Sequence, residues 1–368
     1  MLSEEEFSSI GRPPSPPPSP KGEGAAAPAD GAPKRLGILK RAGRTVMSDM
    51  NGAAWKDIRF TSNNGLTLYA RHYGERNPDA RPVVCLAGLT RNSADFHDLA
   101  SFLATHPTRP REVFCPDYRG RGLSDYDPDW RNYSPLIEML DVLDLMAIRG
   151  LEHAAIVGTS RGGIISMLIA ATRPNVMGVL VLNDIGPEIE TAGLARIMGY
   201  AGKVPLPGSW EEATELVRSM NRRFFTNLSD EEWAAVARQL YREENGRPAP
   251  AYDTRLADAL SEIDISQKIP TMWPQFEALR AIPVLALRGE HSDLLSPATV
   301  AKMERSHPKL ASITVHAQGH APLLKDRFTI GMIADFLRQT DPDNLAGEDG
   351  EGRATLLPRI EADRTVDA

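Results

Sequence analysis

AAIVGTSRGGIISMLIAATRP, residues 154–174, is the stretch on which the reading of this chain turns. It opens with four apolar residues and no alternation, the pattern of a strand covered on both faces. It closes with a helical pattern that stops before Pro174. Between the two lies Gly158-Thr159-Ser160-Arg161-Gly162, a G-x-S-x-G pattern. Five residues match by chance often enough, but the strand–turn–helix setting is the one that lifts a serine hydroxyl to the end of a sheet. Glycine is needed on both sides because the turn is sharp and has no room for a Cβ. The plain alternative is a helix N-terminus that holds a phosphate.

Outward from this stretch, strands and helices alternate. WKDIRFTSNN and LTLYARHYG, separated at Asn64-Gly65, predict an opening antiparallel hairpin. PVVCLAG, EVFCPDY and GVLVLNDIG predict buried strands, with a helix over Ala94–Ala104 and another over Pro135–Arg149 capped by Ser134. IPVLALRGE, a helix from Ser296, SITVHAQG and a final helix from about Asp326 complete the series. The expected fold class is α/β, a mostly parallel eight-stranded sheet with helices on both faces. Residues 51–187 and 280–340 form this core. The rhythm breaks over residues 188–279, which predict helices without strands, with capping boxes at Ser209/Glu212 and Ser229/Glu232. Such an insertion predicts a helical cap over the carboxyl ends of the strands, where open α/β sheets bind ligands.

The ends differ. Residues 1–46 are rich in Pro, Gly, Ala and Ser and predict a disordered extension, or an upstream start ahead of Met47 or Met50. A PxxP ligand is the functional alternative. The basic cluster Lys34, Arg35, Lys40, Arg41 and Arg44 leaves a transit peptide open, but no apolar run makes a secretory signal. Residues 341–368 predict an acidic, solvated tail. Net charge of −7 and the absence of a basic stripe argue against nucleic acid as a partner. No apolar run is long enough to span a bilayer. The two cysteines, Cys85 and Cys115, sit in strand patterns and read as small buried hydrophobes, which fits a cytoplasmic location.

A serine hydroxyl needs a base within hydrogen-bond reach, and the base needs an acid to orient it. In chain order after Ser160, RGEHSD offers Asp293 and QGHAPLL offers His320, each just past a strand. His316 is the rival base but lies within a strand pattern. His291 and Glu290 are rivals near the acid, and Asp184, after GVLVLN, could serve from an earlier strand. The oxyanion that forms on attack needs two donors. The backbone N–H groups of Leu89, after Gly88, and of Arg161 are the expected pair. The histidines make no metal-ligand cluster, and no dinucleotide fingerprint occurs, so neither metal nor cofactor is expected.

Taken together, LAGLT, DYRGRGLSD, GTSRGG, RGEHSD and GHAPLL resemble the α/β-hydrolase superfamily, in its capped branch of esterases, lactonases and C–C bond hydrolases. The resemblance covers about residues 51–340. It implies a cofactor-independent serine hydrolase that cleaves a small carboxylic ester or lactone through an acyl-enzyme, as a monomer or homodimer. The C–C hydrolysis of a β-diketone-like acid and a haloperoxidase-like activity use the same triad, and a non-catalytic ligand-binding protein is the alternative of another class. Epoxide hydrolases and haloalkane dehalogenases of this fold carry a carboxylate where Ser160 stands. Two departures from the family pattern bear on substrate. Ala87-Gly88 replaces the usual His-Gly, and Arg161 follows the nucleophile where an apolar residue or Gln is usual. Arg161, with Arg91 as a candidate substrate contact, would favour an anion, unless both pair with carboxylates such as Asp117 or Asp125. Trp210, Phe224, Phe225, Trp233 and Trp273 are candidates for the walls of the cap pocket, or for cap core.

Overall fold

The computed structural model describes residues 46–48 and 54–342. The short apolar runs become strands because each is covered on both sides. In chain order the elements before the cap are β1 (Val46–Ser48), β2 (Ala54–Thr61), β3 (Thr67–Tyr73), β4 (Val83–Leu86), α1 (His97–Ala104), β5 (Val113–Asp117), α2 (Pro135–Arg149), β6 (Ala154–Thr159), α3 (Arg161–Thr172) and β7 (Met177–Asn183). All of β4 and β5 is buried, and so is nearly all of β6 and β7. By contrast β2 alternates between buried and exposed residues, as expected near a sheet edge.

The cap follows as α4 (Thr191–Tyr200), α5 (Trp210–Asn221), α6 (Asp230–Leu240), β8 (Tyr241–Glu244), β9 (Arg247–Pro250), α7 (Leu256–Ser261) and α8 (Trp273–Glu277). The core then resumes with β10 (Val284–Gly289), α9 (Pro297–Ser306), β11 (Leu310–Val315) and α10 (Arg327–Gln339). The main sheet has the order β1-β2-β3-β5-β4-β6-β7-β10-β11. From β5 to β11 the strands are parallel, while β3 and β2 run antiparallel. This is the α/β-hydrolase fold, eight strands extended at one edge by β1, which pairs antiparallel with β2.

The order positions the site. From β4 the chain moves outward to β5, then returns to place β6 on the other side of β4. The loops that leave β4 and β6 therefore diverge, opening a crevice at their carboxyl ends. Residues 88–89 and Ser160 sit at those two ends. Asp184 follows β7, Asp293 lies beyond β10 and His320 lies beyond β11, all at the same edge.

Three expectations need correction. The cap is not free of strands: β8 and β9 pair as a hairpin across Asn245-Gly246, both with positive φ. That turn matches the right-handed twist of two strands and stops α6 at Leu240, four residues short of Glu244. The acidic tail does not start at Asp341. That side chain is fully buried and forms a two-pronged ion pair with Arg111 at 2.8 and 2.7 Å. At the other end, Val46 already belongs to β1. The remainder of the expected N-terminal extension and residues 343–368 lie outside the described residues.

Ser229 and Glu232 form the full capping box, whereas Ser209 caps α5 and Glu212 reaches the N–H of Gly208 instead. α5 and α6 share a core of their own built on Val217, Phe225, Trp233 and Val236. Cys85 and Cys115 are free thiols, buried in β4 and β5. No helix among the described residues is long and apolar enough to cross a membrane.

Candidate active site

Ser160 sits between β6 and α3 with φ 50° and ψ −111°, a backbone conformation that an L-residue adopts only under strain. The flanking glycines permit it: a Cβ on Gly158 would lie 2.7 Å from the backbone of Gly162. Its N–H is held by the carbonyl of Asn183 at 3.0 Å. The hydroxyl then meets His320 Nε2 at 2.9 Å.

Nδ1 of the same imidazole lies 2.7 Å from Asp184 Oδ2. The carboxylate that orients His320 is thus Asp184, in place of the expected Asp293. Asp184 has φ 54°, and this turn swings its side chain under the imidazole. Two further donors fix it there, the Gly289 N–H at 2.8 Å and the Ser292 hydroxyl at 2.6 Å. Asp293 instead takes a two-pronged pair from Arg196 of α4, at 2.6 and 2.8 Å. Burial opposes the charge of Asp293, but the Arg196 guanidinium outweighs it and holds the carboxyl below its usual range. His316 is largely exposed and bound to Glu290 at 2.7 Å.

Asn183 is a further residue of the site that no sequence motif marks. Its amide donates to Thr159 Oγ1 at 3.0 Å and to the Pro322 carbonyl at 2.9 Å, tying the serine turn to the histidine loop. An Asn closing an otherwise apolar strand run was the available signal. Ser292, between the rival acids, carries no sequence signal of its own.

The two expected oxyanion donors come from facing loops. A methyl group on Gly88 would sit 3.9 Å from the Ser160 Cβ. The Leu89 N–H has no acceptor among the described residues. Arg161 opens α3, so its N–H has no intrahelical partner. The Arg161 side chain does not enter the cavity. It turns inward to Glu138 Oε2 at 2.7 Å and to the Tyr133 carbonyl at 2.9 Å. Asp117 and Asp125 are not its partners; Asp117 accepts the N–H groups of Ser93 and Leu123.

Glu138 is fully buried and also meets Arg121 at 2.7 Å, an ion pair without the alignment of a hydrogen bond. Burial pushes the Glu138 carboxyl up, but two guanidinium charges outweigh that and hold it low. Arg121 Nε in turn donates to the Leu89 carbonyl at 3.0 Å. One carboxylate therefore links the side chain of Arg161 to the backbone of Leu89 through a second arginine.

Over Ser160 lies a cavity of about 340 Å³, walled by Ile197, Val217, Phe225, Trp233, Val236 and Leu323 among others. Phe225 and Trp233 line it as expected. Trp210 and Phe224 pack against the cap core, and Trp273 is bound to Glu188 and packs on Phe276, outside the wall. Arg91 does line the cavity, paired with Asp95 at 2.6 and 2.7 Å. Among the described residues, no group of His, Cys, Asp and Glu could hold a metal ion.

Residues 83–329 match the model of the Alpha/beta hydrolase family, and the chain belongs to that family. It is 30% identical over 286 residues to the 3-hydroxybutyrate-oligomer hydrolase of Cupriavidus necator, covering 76% of this chain and 96% of the relative. It is 27% identical to the 2-(acetamidomethylene)succinate hydrolase of Mesorhizobium japonicum, over 68% of this chain and 85% of that one. Among solved structures, an alpha/beta hydrolase from Novosphingobium aromaticivorans superposes with a TM-score of 0.72 at 37% identity. That match covers 78% of this chain and 98% of the other. These relatives are named as hydrolases, and this chain is a hydrolase of the same family.

Proposed function

We propose that the protein is a serine hydrolase of carboxylic esters, open-chain or lactone, working through an acyl-enzyme. The observation that carries this reading is the unbroken line from Ser160 Oγ to His320 Nε2 and from Nδ1 to Asp184. Ser160 Oγ attacks the substrate carbonyl carbon as His320 Nε2 takes its proton. The carbonyl oxygen becomes an oxyanion and receives the N–H groups of Leu89 and Arg161. His320 returns the proton to the leaving alcohol, and the acyl group stays on Ser160. Water then gives its proton to His320 and attacks, and collapse releases the acid and restores the serine. Asp184 holds one tautomer throughout and stabilises the imidazolium.

The cavity is of a size that takes a small ester. The Cupriavidus relative suggests short hydroxyacyl esters such as 3-hydroxybutyrate oligomers as first substrates to try. The test pairs a fluorophosphonate probe with 4-nitrophenyl esters. Label on Ser160 and steady turnover are expected. Ser160→Ala should abolish the label and lower kcat by at least about a thousandfold. Turnover that survives Ser160→Ala would sink the assignment of the nucleophile.

A further inference from the structure

The wall of the cavity is mainly apolar, yet it carries three guanidinium groups, those of Arg91, Arg196 and Arg223. Two of them have carboxylate partners, Asp95 for Arg91 and Asp293 for Arg196. Arg223 forms no ion pair among the described residues. It stands in the turn after α5, exposed at the cavity, with its guanidinium 4.5 Å from the centroid of the Phe224 ring. The Arg196 guanidinium lies 4.6 Å from the same centroid. Phe224, packed on the cap core, thus has a cavity-lining cation within reach of its ring from two positions, and of the two only Arg196 has a carboxylate partner among the described residues.

A ring face attracts a cation but does not neutralise it. This stretch of the cap therefore keeps one uncompensated positive charge, on a planar group with paired donors. Such a fork fits a carboxylate in two-pronged geometry. A cavity for purely hydrocarbon esters would gain nothing from it.

We propose that Arg223 anchors a carboxylate carried by the substrate. The substrate class is then an ester that keeps a free carboxylate, a half-ester of a dicarboxylic acid or an ester of a hydroxy acid. This rests on the serine-hydrolase reading of the same cavity. The cap holds the charge, and the core presents the ester carbonyl to Ser160.

Two matched pairs test it. For a carboxylate on the acyl side, 4-nitrophenyl hydrogen glutarate is compared with 4-nitrophenyl pentanoate, which has the same chain length and no charge. For one on the alcohol side, the dimer of 3-hydroxybutyrate is compared with its methyl ester. The wild type should favour the anion in at least one pair. Arg223→Gln should lower that anion-to-neutral ratio of kcat/KM by about tenfold, as expected for loss of one charge-assisted contact. Arg223→Lys should recover part of it. Arg222→Gln, at the exposed neighbour outside the cavity wall, should leave the ratio alone. No preference for the anion in either pair, or an equal fall in both Arg223→Gln and Arg222→Gln, would overturn the anchor. Failure of the hydrolase reading looks different: no ester is turned over and Ser160 takes no fluorophosphonate. The anchor would then be read by calorimetry with glutarate and 3-hydroxybutyrate, and binding unchanged by Arg223→Gln would refute it.

Discussion

Asp184 and Asp293 both lie within electrostatic reach of one imidazole, and they differ in what else holds them. Asp184 has three donors, all aimed so that Oδ2 meets His320. Asp293 is engaged on both oxygens by Arg196. Replacing Asp184 with Asn would leave His320 in the wrong tautomer, and kcat should fall by about four orders of magnitude. Asp293→Asn should have an effect at least about a hundred times smaller. Steady-state rates with 4-nitrophenyl acetate at neutral pH separate the two, and equal losses would return the acid role to Asp293. This choice was not legible in the sequence, because both residues follow parallel strands. What decides it is a positive φ at Asp184 and an arginine on a cap helix, and neither leaves a mark in a one-dimensional pattern. Ser160 and His320 were legible because the turns that display them need glycine beside them.

At the scale of elements, the two loops that carry the proposed oxyanion donors are joined by side chains beneath them. Arg121 holds the carbonyl of Leu89, Glu138 meets Arg121, and Arg161 completes the chain next to Ser160. In the proposed mechanism Arg161 is thus a positioning residue whose own N–H is one of the donors. Arg161→Met keeps the backbone donor and leaves Glu138 paired with Arg121. It should lower kcat by about ten- to a hundredfold while KM stays within about twofold, since misplaced donors are felt in the transition state more than in binding. A rise in KM with kcat unchanged would place the Arg161 side chain in substrate binding instead. The cap shows how element reading fails. Asn64-Gly65 marks the hairpin of β2 and β3, and Asn245-Gly246 carries the same signal. The second was masked by helix-favouring residues on its N-terminal side, where α6 continues in composition but not in geometry.

Over the whole molecule, the sheet was readable because strands buried on both faces leave continuous apolar runs, and because parallel pairing forces a helix between them. Where the fold ends was less readable, because Asp341 looks like the first residue of an acidic run. The structure makes it part of the interior. Its carboxylate accepts both ends of the Arg111 guanidinium and the N–H of Arg81, next to β4 and β5. It therefore clasps the end of α10 to the centre of the sheet, across most of the chain. Arg111 is 2% exposed and Asp341 is fully buried, with Arg109 at 3.8 Å as a second, longer ion pair of Asp341, so removing Asp341 leaves the Arg111 guanidinium in the interior without its carboxylate. Asp341→Ala should lower the free energy of unfolding by about 3–5 kcal/mol. Urea denaturation followed by tryptophan fluorescence measures this directly. The double replacement Arg111→Met with Asp341→Leu removes both charges and fills the same space, so it should regain most of the loss. If the double variant is as unstable as the single one, the clasp holds through its hydrogen bonds to Arg81 and the neighbouring backbone, and the ion pair itself contributes little.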